Sequence, residues 1–353
     1  MPTCRLWSVP FIVLAILLLS GSAPAAGAPY QVSAWTFGDR ASLDTAVTKG
    51  AIDEVNVDWY LSLASGALQG GDEDLSFVAL AHSQGLRVLA TVSNYSVALD
   101  DFDSGLAHLI LNTPKLRDRH IANIWRMCVR KGYDGIDLDW ESVPRADRSR
   151  FTQFVRALAA KLHKHGKLLS IAVAAKTSEP GDWFGAQSQD YAKIGAVVDE
   201  FKIMTYDYSG GWSDPGPISP PSWANDVLTF AETVVPSAKI MMGVPFYGYD
   251  WHDGTADGVS WTDVQGLIAA HSPSIDRDPS GEATFTYTDG SGTGHIVYFQ
   301  DRAAVAVKLE MLRALHPSIR GIAIWVMGDE DPGFWDEIAS RLKAASQRGH
   351  GRG

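Results

Sequence analysis

The sequence predicts an α/β fold, and within that class a (β/α)8 barrel, on the basis of three observations. Eight short apolar segments rich in β-branched residues alternate with helical segments along nearly the whole chain. The 353 residues of the chain leave room for eight such units, because barrels of this type commonly use about 250 residues. A doubly wound open sheet usually carries a glycine-rich phosphate-binding loop after its first strand, and no such loop follows Phe37.

Several of the eight predicted strands are continuously hydrophobic rather than alternating. The seventh, for example, contains the run Ile-Met-Met-Gly-Val at residues 240–244. Strands of a parallel sheet that is covered by helices are buried on both faces and show this pattern. The predicted strands comprise residues 31–37, 54–59, 87–93, 135–141, 168–174, 200–206, 239–246 and 321–327.

Three of the intervening helices are predicted from the residues at their ends. One begins at Pro114, since proline is favoured at the first helical position, and it ends at Gly132. A second spans residues 146–165 and ends before Gly166. A third spans residues 302–315 and carries an apolar stripe at helical spacing, which predicts packing of that face against the barrel.

One stretch interrupts the alternation of strands and helices. Residues 252–300 lie between the seventh and eighth predicted strands and contain a turn-rich piece, residues 286–292, between two possible strands. Clusters of Gly, Ser, Thr and Asp between apolar runs favour hairpin turns. We therefore expect a small inserted hairpin region at the barrel rim rather than a separate domain.

The two ends of the chain are predicted to lie outside the folded domain. Arg5 precedes a nine-residue apolar run at 11–19 and then small residues, the arrangement of a signal peptide at residues 1–28. An uncleaved membrane anchor is the alternative, but a bilayer needs roughly 20 apolar residues. The sequence thus predicts a catalytic domain at 29–345 and a disordered tail at 346–353. It also predicts a secreted, periplasmic or cell-envelope location, without stable membrane insertion after cleavage.

Composition excludes two classes of protein. The chain has 41 acidic and 30 basic residues and a formal net charge of −11, which disfavours binding to nucleic acid. It has only two cysteines, Cys4 and Cys128, so it is not a disulfide scaffold. Cys4 falls in the predicted signal peptide, and Cys128 lies in an apolar helical stretch, where we expect it to be a buried packing residue.

The most informative segment is the acidic strand at residues 135–141. Because side chains alternate along a strand, Asp137, Asp139 and Glu141 share one face, which we expect to point into the barrel, with Glu141 at the mouth. Like charges and burial should raise the pKa of at least one carboxyl group, so that it can donate a proton. A solvated acidic face is disfavoured by the burial of parallel strands. A divalent metal site is disfavoured because no histidine joins the cluster.

Four segments of the chain resemble glycoside hydrolase family 18, the chitinase family. They read Asp-x-x-Asp-x-Asp-x-Glu at 134–141, Met-Thr-Tyr-Asp at 204–207, Gly-Val-Pro-Phe-Tyr-Gly at 243–248 and Ala-Ile-Trp at 323–325. The acid motif is specific, because four acids at fixed spacing on one strand rarely arise by chance. The resemblance runs from about residue 30 to residue 342.

The resemblance implies a retaining mechanism in which the substrate supplies the nucleophile. Glu141 would protonate the glycosidic oxygen, Asp139 would orient the 2-acetamido group, and Asp137 would share a proton with Asp139. Tyr206 would hydrogen-bond the acetamido oxygen, and Asp207 would contact the sugar. From the residues themselves, the seventh strand lacks a glutamate at its mouth, so only Asp207 competes for the role of nucleophile.

Aromatic residues near the predicted strand ends are the second carbohydrate signal, since sugar rings stack on flat aromatic faces. The resemblance places Trp325 under the sugar. We expect Trp212 to contact sugar as well, whereas Trp140 faces away from the carboxylates and should be a packing residue. The predicted substrate-binding set consists of Asp207, Met204, Trp325, Trp212, Phe246, Tyr247 and Trp35.

The predicted partner is a glycan that contains N-acetylglucosamine, with no cofactor. Residues 295–301 and 325–332 are similar to the branch of spore-cortex-lytic N-acetylglucosaminidases, whereas Trp140 between two acids is the form common in chitinases. Chitin, chitooligosaccharides and peptidoglycan therefore all stay open. Two other classes compete: a chitinase-like lectin, although such proteins usually lose the residue at Glu141, and a metal-dependent hydrolase.

Overall fold

The computed structural model describes residues 30–70 and 73–343 of the chain. The predicted signal peptide at 1–28 and the predicted tail at 346–353 lie outside the described residues. Within the described ranges, strands and helices alternate in the order that the sequence predicts.

Eight parallel strands, numbered β1 to β8 here, close into a barrel. Each strand pairs with the next along the chain, and β8 pairs back with β1, where Gln31 lies opposite Gly321. Closure leaves these strands without a free edge. The predicted (β/α)8 barrel is therefore confirmed. The strands are β1 Gln31–Thr36, β2 Glu54–Ser62, β3 Arg87–Ser93, β4 Gly135–Asp139, β5 Leu168–Ala174, β6 Glu200–Met204, β7 Ile240–Pro245 and β8 Gly321–Met327.

Helices cover the outside of the barrel. Gly132 ends one of them in a left-handed conformation with a φ of 81°, and the helix at residues 302–315 has the predicted bounds. The second predicted helix is shorter than expected, because its first turn is a 3₁₀ helix at Arg145–Asp147. The described α-helices are Arg40–Thr48, Leu75–Ser83, Ser104–Asn112, Pro114–Lys131, Arg148–His163, Phe184–Gln187, Tyr191–Gly195, Pro221–Val234, Trp261–His271, Arg302–Leu315 and Phe334–Ile338. The remaining helical turns are the 3₁₀ helix Ser237–Lys239 and the π-helix Ala339–Lys343.

Two strands end two residues earlier at the barrel mouth than the sequence predicts. The fourth was expected to include Glu141 but ends at Asp139. The reason is a pair of hydrogen bonds: the backbone N–H of Glu141 donates to Asn94 Oδ1, and Asn94 Nδ2 donates to the carbonyl oxygen of Glu141, both at 2.9 Å. The side chain of Asn94 thus makes the backbone hydrogen bonds of Glu141 that a neighbouring strand would otherwise make. The sixth strand ends at Met204 rather than at residue 206.

The opposite end of the barrel is held by three aspartates, each directly before an even-numbered strand. Each accepts the backbone N–H of the preceding odd-numbered strand, which satisfies a donor that the sheet leaves unpaired. The pairs are Asp53 with Val32 at 2.7 Å, Asp134 with Val88 at 2.8 Å and Asp199 with Leu169 at 2.8 Å. The first acid of the four-acid motif therefore supports the barrel floor and lies away from the mouth.

The insertion between β7 and β8 is larger than the expected hairpin region. It forms a five-stranded antiparallel sheet and the helix Trp261–His271, with a small core of its own around Phe285 and Phe299. The sheet begins at Gly248, shortly after β7. Its first strand is hydrogen-bonded to an antiparallel strand on each side. Its strands are Gly248–His252, Thr255–Val259, Asp276–Arg277, Ala283–Thr288 and Gly294–Phe299. Three shorter pieces outside the insertion are Leu68–Gly70, Tyr95–Ser96 and Asp101–Phe102.

The main hydrophobic core fills the space between the barrel and its helices. Cys128 is fully buried there, as expected of a packing residue, and burial raises the pKa of its thiol to about 12. Across residues 30–70 and 73–343, the helices are all too short or too polar to pass through a lipid bilayer.

Candidate active site

A cavity of about 740 Å³ opens at the C-terminal ends of the barrel strands. This is the end at which (β/α)8 enzymes carry their active sites. Most of the residues that the sequence marks as site candidates share its wall. They are Trp35, Asp139, Glu141, Met204, Tyr206, Asp207, Trp212 and Trp325.

Asp137 lies below the cavity floor, fully buried inside the barrel. Its Oδ2 accepts a hydrogen bond from Trp35 Nε1 at 2.7 Å and a longer one from Thr91 Oγ1 at 3.4 Å. Its Oδ1 accepts from Lys202 Nζ at 3.2 Å. Asp137 therefore supports the floor of the site.

Asp139 stands one step above, at the end of β4, and is 8% exposed. Its Oδ1 is buried and has no hydrogen-bond partner within the part of the chain that the structure describes. Burial, followed by the negative charges of Glu141, Asp58 and Asp137, raises the pKa of Asp139 well above its usual value. A buried oxygen without a partner on a cavity wall can accept a hydrogen bond from a ligand.

Glu141 lies just beyond β4 and is partly exposed on the cavity wall. Burial raises the pKa of its carboxyl group to about 8, with further increases from the charges of Asp207 and Asp101. The group is therefore mostly protonated at neutral pH. A protonated carboxyl group held at a cleft wall can act as a general acid.

Tyr206 and Asp207 follow β6 and form another wall of the cavity. Asp207 has a positive φ of 58°, and its Oδ1 accepts hydrogen bonds from the hydroxyl groups of Tyr247 and Tyr249. Burial raises the pKa of Asp207, while the two tyrosine hydroxyl groups oppose the increase. Tyr247, expected on the sugar, is placed behind Asp207 and contacts that carboxyl group. It therefore reaches the cavity only through Asp207.

Aromatic rings line the floor and the rim of the cavity. Trp325 packs edge-on against Trp35 with 5.9 Å between ring centroids, and Trp212 stands at the rim with 66% of its surface exposed. Phe246 is placed differently from the expectation of a sugar contact. Its ring is 3% exposed and lies 4.3 Å from that of Phe334, because the chain turns outward after β7 and directs it into the core.

Sequence reasoning missed several residues of the cavity wall. They come from loops that follow barrel strands: Asp101 and Phe102 after β3, Trp183 after β5, and Trp223 at the start of a helix after β6. Their position after a predicted strand was the available signal, because those loops form the mouth of a barrel. Asn94, which holds the backbone of Glu141, carried no such signal because its partner is 47 residues away.

Two histidines of the insertion, His252 and His295, lie apart from the cavity and are paired with aspartates. His295 Nδ1 lies 2.9 Å from Asp250 Oδ1, and His252 Nε2 lies 3.0 Å from Asp257 Oδ2. Among the described residues, no group of three or more His, Cys, Asp and Glu side chains is arranged to hold a metal ion. The residues that line the cavity lie outside the insertion.

This combination defines the site of a glycosidase. Cleavage of a glycosidic bond requires a proton donor for the leaving oxygen, and the raised pKa of Glu141 leaves this carboxyl group able to serve as one. Sugar rings stack on aromatic faces, which Trp325 and Trp212 present. The closed barrel holds both at its C-terminal mouth.

Comparison with known proteins identifies the family. Residues 43–331 match the family described as Glycosyl hydrolases family 18. The chain belongs to this family and is a glycosidase, so the family resemblance seen in the sequence is confirmed.

The relatives include chitinases and cortex-lytic enzymes. The chain is 28% identical over 350 residues to the uncharacterized glycosylase YvbX of Bacillus subtilis, covering 96% of this chain and 99% of that protein. It is 32% identical over 268 residues to the cortical fragment-lytic enzyme of Bacillus subtilis, covering 73% of this chain and 60% of that enzyme. The structure of a chitinase from Chromobacterium violaceum is similar with a TM-score of 0.80 and 28% identity, covering 89% of this chain and 99% of the other.

Proposed function

We propose that this chain is an exported glycosidase that cleaves β-linked glycans containing N-acetylglucosamine, with retention of configuration and with the substrate's acetamido group as nucleophile. The observation that carries the proposal is the pairing of Glu141, whose pKa is about 8, with the unpartnered oxygen of Asp139 in one cavity. Chitin, chitooligosaccharides and peptidoglycan are the candidate substrates. The names of the similar proteins, chitinase and cortical fragment-lytic enzyme, support this range.

In the first step, Glu141 donates its proton to the glycosidic oxygen while the acetamido carbonyl oxygen attacks the anomeric carbon. The bond to the leaving sugar breaks, and an oxazolinium ion forms. Asp139 accepts a hydrogen bond from the acetamido N–H, and the hydroxyl group of Tyr206 donates to the acetamido oxygen. In the second step, water attacks the anomeric carbon from the side of the leaving group and returns a proton to Glu141, which restores the acetamido group and the original configuration.

The surroundings of Asp207 support a binding role for this residue rather than that of a nucleophile. Its Oδ1 is the acceptor for two tyrosine hydroxyl groups, Tyr247 and Tyr249. A carboxylate held by two donors is a weaker nucleophile, because its charge is already stabilised. We assign Asp207 to contact with the sugar and to raising the pKa of Glu141.

The test is hydrolysis of chitooligosaccharides and of purified peptidoglycan by the wild-type protein and by Glu141→Gln, with products identified by mass spectrometry. Glutamine matches the shape of glutamate but cannot donate the proton, so we expect a loss of at least about 10³-fold in kcat. Glu310→Gln, a change at an exposed surface residue, is the matched control and should retain activity. Equal product release by wild type and Glu141→Gln would contradict the proposal, and binding without any hydrolysis would indicate a lectin.

The substrate-assisted step makes a prediction about the substrate. A chitooligosaccharide whose reacting sugar lacks the acetyl group has no internal nucleophile and should not be cleaved at that position. The measurement compares turnover of fully acetylated and fully deacetylated oligosaccharides of the same length. Comparable turnover of the two would contradict the mechanism while leaving glycosidase activity intact.

Export is the remaining part of the proposal and rests on the pattern of residues 1–28. Expression of the full chain in a bacterial host, followed by N-terminal sequencing of the extracellular protein, tests it. We expect a new N-terminus close to residue 28. A full-length protein that stays with the membrane fraction would support the uncleaved anchor.

A further inference from the structure

Lys202 lies inside the barrel, on β6, with its side chain fully buried. Its Nζ donates hydrogen bonds to Asn56 Oδ1 at 2.8 Å, to Glu54 Oε1 at 3.2 Å and to Asp137 Oδ1 at 3.2 Å. Glu200 Oε2 lies 3.6 Å away. Burial by itself would lower the pKa of Lys202, but the surrounding carboxylates outweigh it and raise the pKa. The ammonium therefore stays charged throughout the working pH range.

The other carboxylates around Lys202 have arginine partners at the barrel floor. Arg87 Nη2 lies 3.0 Å from both Glu54 and Glu200, and Arg320 Nη2 lies 3.2 Å from Glu200. Asp137 has no such second cation among the described ion pairs. The charge of Lys202 is consequently the one that compensates Asp137.

Two of the groups that contact Asp137 can only donate hydrogen bonds. The indole N–H of Trp35 and the ammonium of Lys202 have no lone pair to offer. A carboxyl group between such donors is favoured in its ionised form, which is a pure acceptor. Above Asp137, the carboxyl group of Asp139 lies near the negative charges of Asp58 and Glu141. It has a hydrogen bond with the side chain of Ser93 and, within residues 30–70 and 73–343, no ion pair with a cation.

We infer that Lys202 is a positioning residue for the proposed reaction: it keeps Asp137 ionised, so that the proton of the aspartate pair resides on Asp139. The inference rests on the proposed function. The pair then carries one negative charge beneath the reacting sugar at all working pH values. That charge stabilises the oxazolinium cation, while the uncharged Asp139 accepts the acetamido N–H without a desolvated charge of its own.

The first experiment measures kcat and KM against pH for the wild type, Lys202→Met and Lys202→Arg on chitooligosaccharides. Methionine keeps similar volume beneath Trp35 but removes the charge. An opposite charge at this distance favours ionisation by about one to three pH units, so the acidic limb should move to higher pH by that amount in Lys202→Met. We expect kcat at neutral pH to fall about 100-fold with little change in KM, and Lys202→Arg to restore the acidic limb.

Lys308→Met is the matched control, because Lys308 is a buried lysine paired with Glu282 outside the cavity. It should lower stability without moving either limb of the pH profile. A folded Lys202→Met protein with the wild-type acidic limb would overturn the inference. An equal shift in Lys308→Met would do so too, since it would indicate a general effect of losing a buried cation.

A second readout requires neither activity nor a folded variant at Lys202. In the wild-type protein, the carboxyl carbon NMR signals of the two aspartates are followed as the pH falls, and the signal of Asp137 is assigned by its loss in Asp137→Asn. The signal of Asp139 should change first. Protonation of Asp137 before Asp139 as pH falls would overturn the inference. If the wild type cleaves no acetylated glycan, the proposed function fails, and this titration still decides which aspartate of the pair takes up its proton first.

Discussion

At the scale of single residues, the alternation of side chains along the acidic strand predicts the orientation of its residues as far as Asp139, where the strand ends. Alternation placed Asp137 and Asp139 inside the barrel and turned Trp140 away, where its ring stacks 4.8 Å from that of Phe154. Glu141 lies beyond the strand, where its backbone is held by Asn94. The position of Glu141, the proposed proton donor, therefore depends on one long-range contact as well as on the strand pattern.

The pKa of Glu141 predicts the basic limb of the pH profile. A carboxyl group with a pKa of about 8 loses its proton as pH rises through that value, so kcat/KM should fall above pH 8. The measurement is kcat/KM on a chitooligosaccharide across the range in which the protein stays folded. Activity that stays constant well above pH 8 in folded protein would contradict the assignment of Glu141 as the acid.

Asp207→Asn should move that basic limb to lower pH. After burial itself, the negative charge of Asp207 raises the pKa of Glu141 most, so its removal should lower that pKa. The check is the pH profile of kcat/KM, with Asp101→Asn as a control expected to shift the limb in the same direction by less. A limb that stays near pH 8 in Asp207→Asn would show that burial alone sets the pKa.

At the scale of elements, the approach of β6 and β7 shapes the wall that carries Tyr206. Gly243 on β7 leaves no room for a side chain. A Cβ at this position would lie 2.5 Å from the carbonyl oxygen of Ile203 and 2.8 Å from the ring of Tyr206. Glycine here allows the backbone of one strand to lie close to the next and fixes the position of the tyrosine ring.

Gly243→Ala should therefore lower both stability and activity. Overpacking a tight site costs about 1–3 kcal/mol in the free energy of unfolding, which chemical denaturation measures. We expect kcat to fall as well, because Tyr206 must move. Gly266→Ala, in the exposed part of the helix Trp261–His271, is the control and should raise stability by up to about 1 kcal/mol. Equal stability of wild type and Gly243→Ala would contradict the packing argument.

At the scale of the whole molecule, the insertion is joined to the barrel by Glu282. This fully buried carboxylate accepts the backbone N–H groups of Ile218 and Ser219 at 2.7 and 2.8 Å and pairs with Lys308 Nζ at 3.0 Å. The first two residues end the loop that carries Trp212 to the cavity rim. The insertion, an outer helix and the cavity wall thus meet at one charged group.

Glu282→Gln should destabilise the protein by about 3–5 kcal/mol, because it leaves the charge of Lys308 buried without its partner. The amide of glutamine would also direct a donor toward backbone N–H groups. Chemical denaturation is the measurement. Glu310→Gln removes an exposed ion pair with Arg341 and should change stability by less than about 1 kcal/mol. A similarly small effect of both substitutions would contradict the proposed junction.

The barrel and the shared face of Asp137 and Asp139 could be predicted from the sequence, because the patterns that indicate them are local. The alternation of side chains over residues 135–139 depends only on the geometry of one strand. The number of strands depends on hydrophobic runs and helix ends, each contained within a few residues. Side-chain alternation and the number of strands can therefore be predicted without knowledge of what packs against each strand.

The contacts of Lys202, Glu282 and Phe246 could not be predicted from the sequence, because they join residues that are far apart in the chain. Lys202 meets Asp137 across 65 residues, and Glu282 meets Ile218 across 64, so neither pair leaves a trace in local spacing. The direction of Phe246, which turns into the core, follows from the packing of Phe334 much later in the chain. Periodicity predicts which face of its strand a side chain occupies. Its hydrogen-bond, ion-pair and packing partners depend on the tertiary structure, because they come from segments that are distant in the sequence.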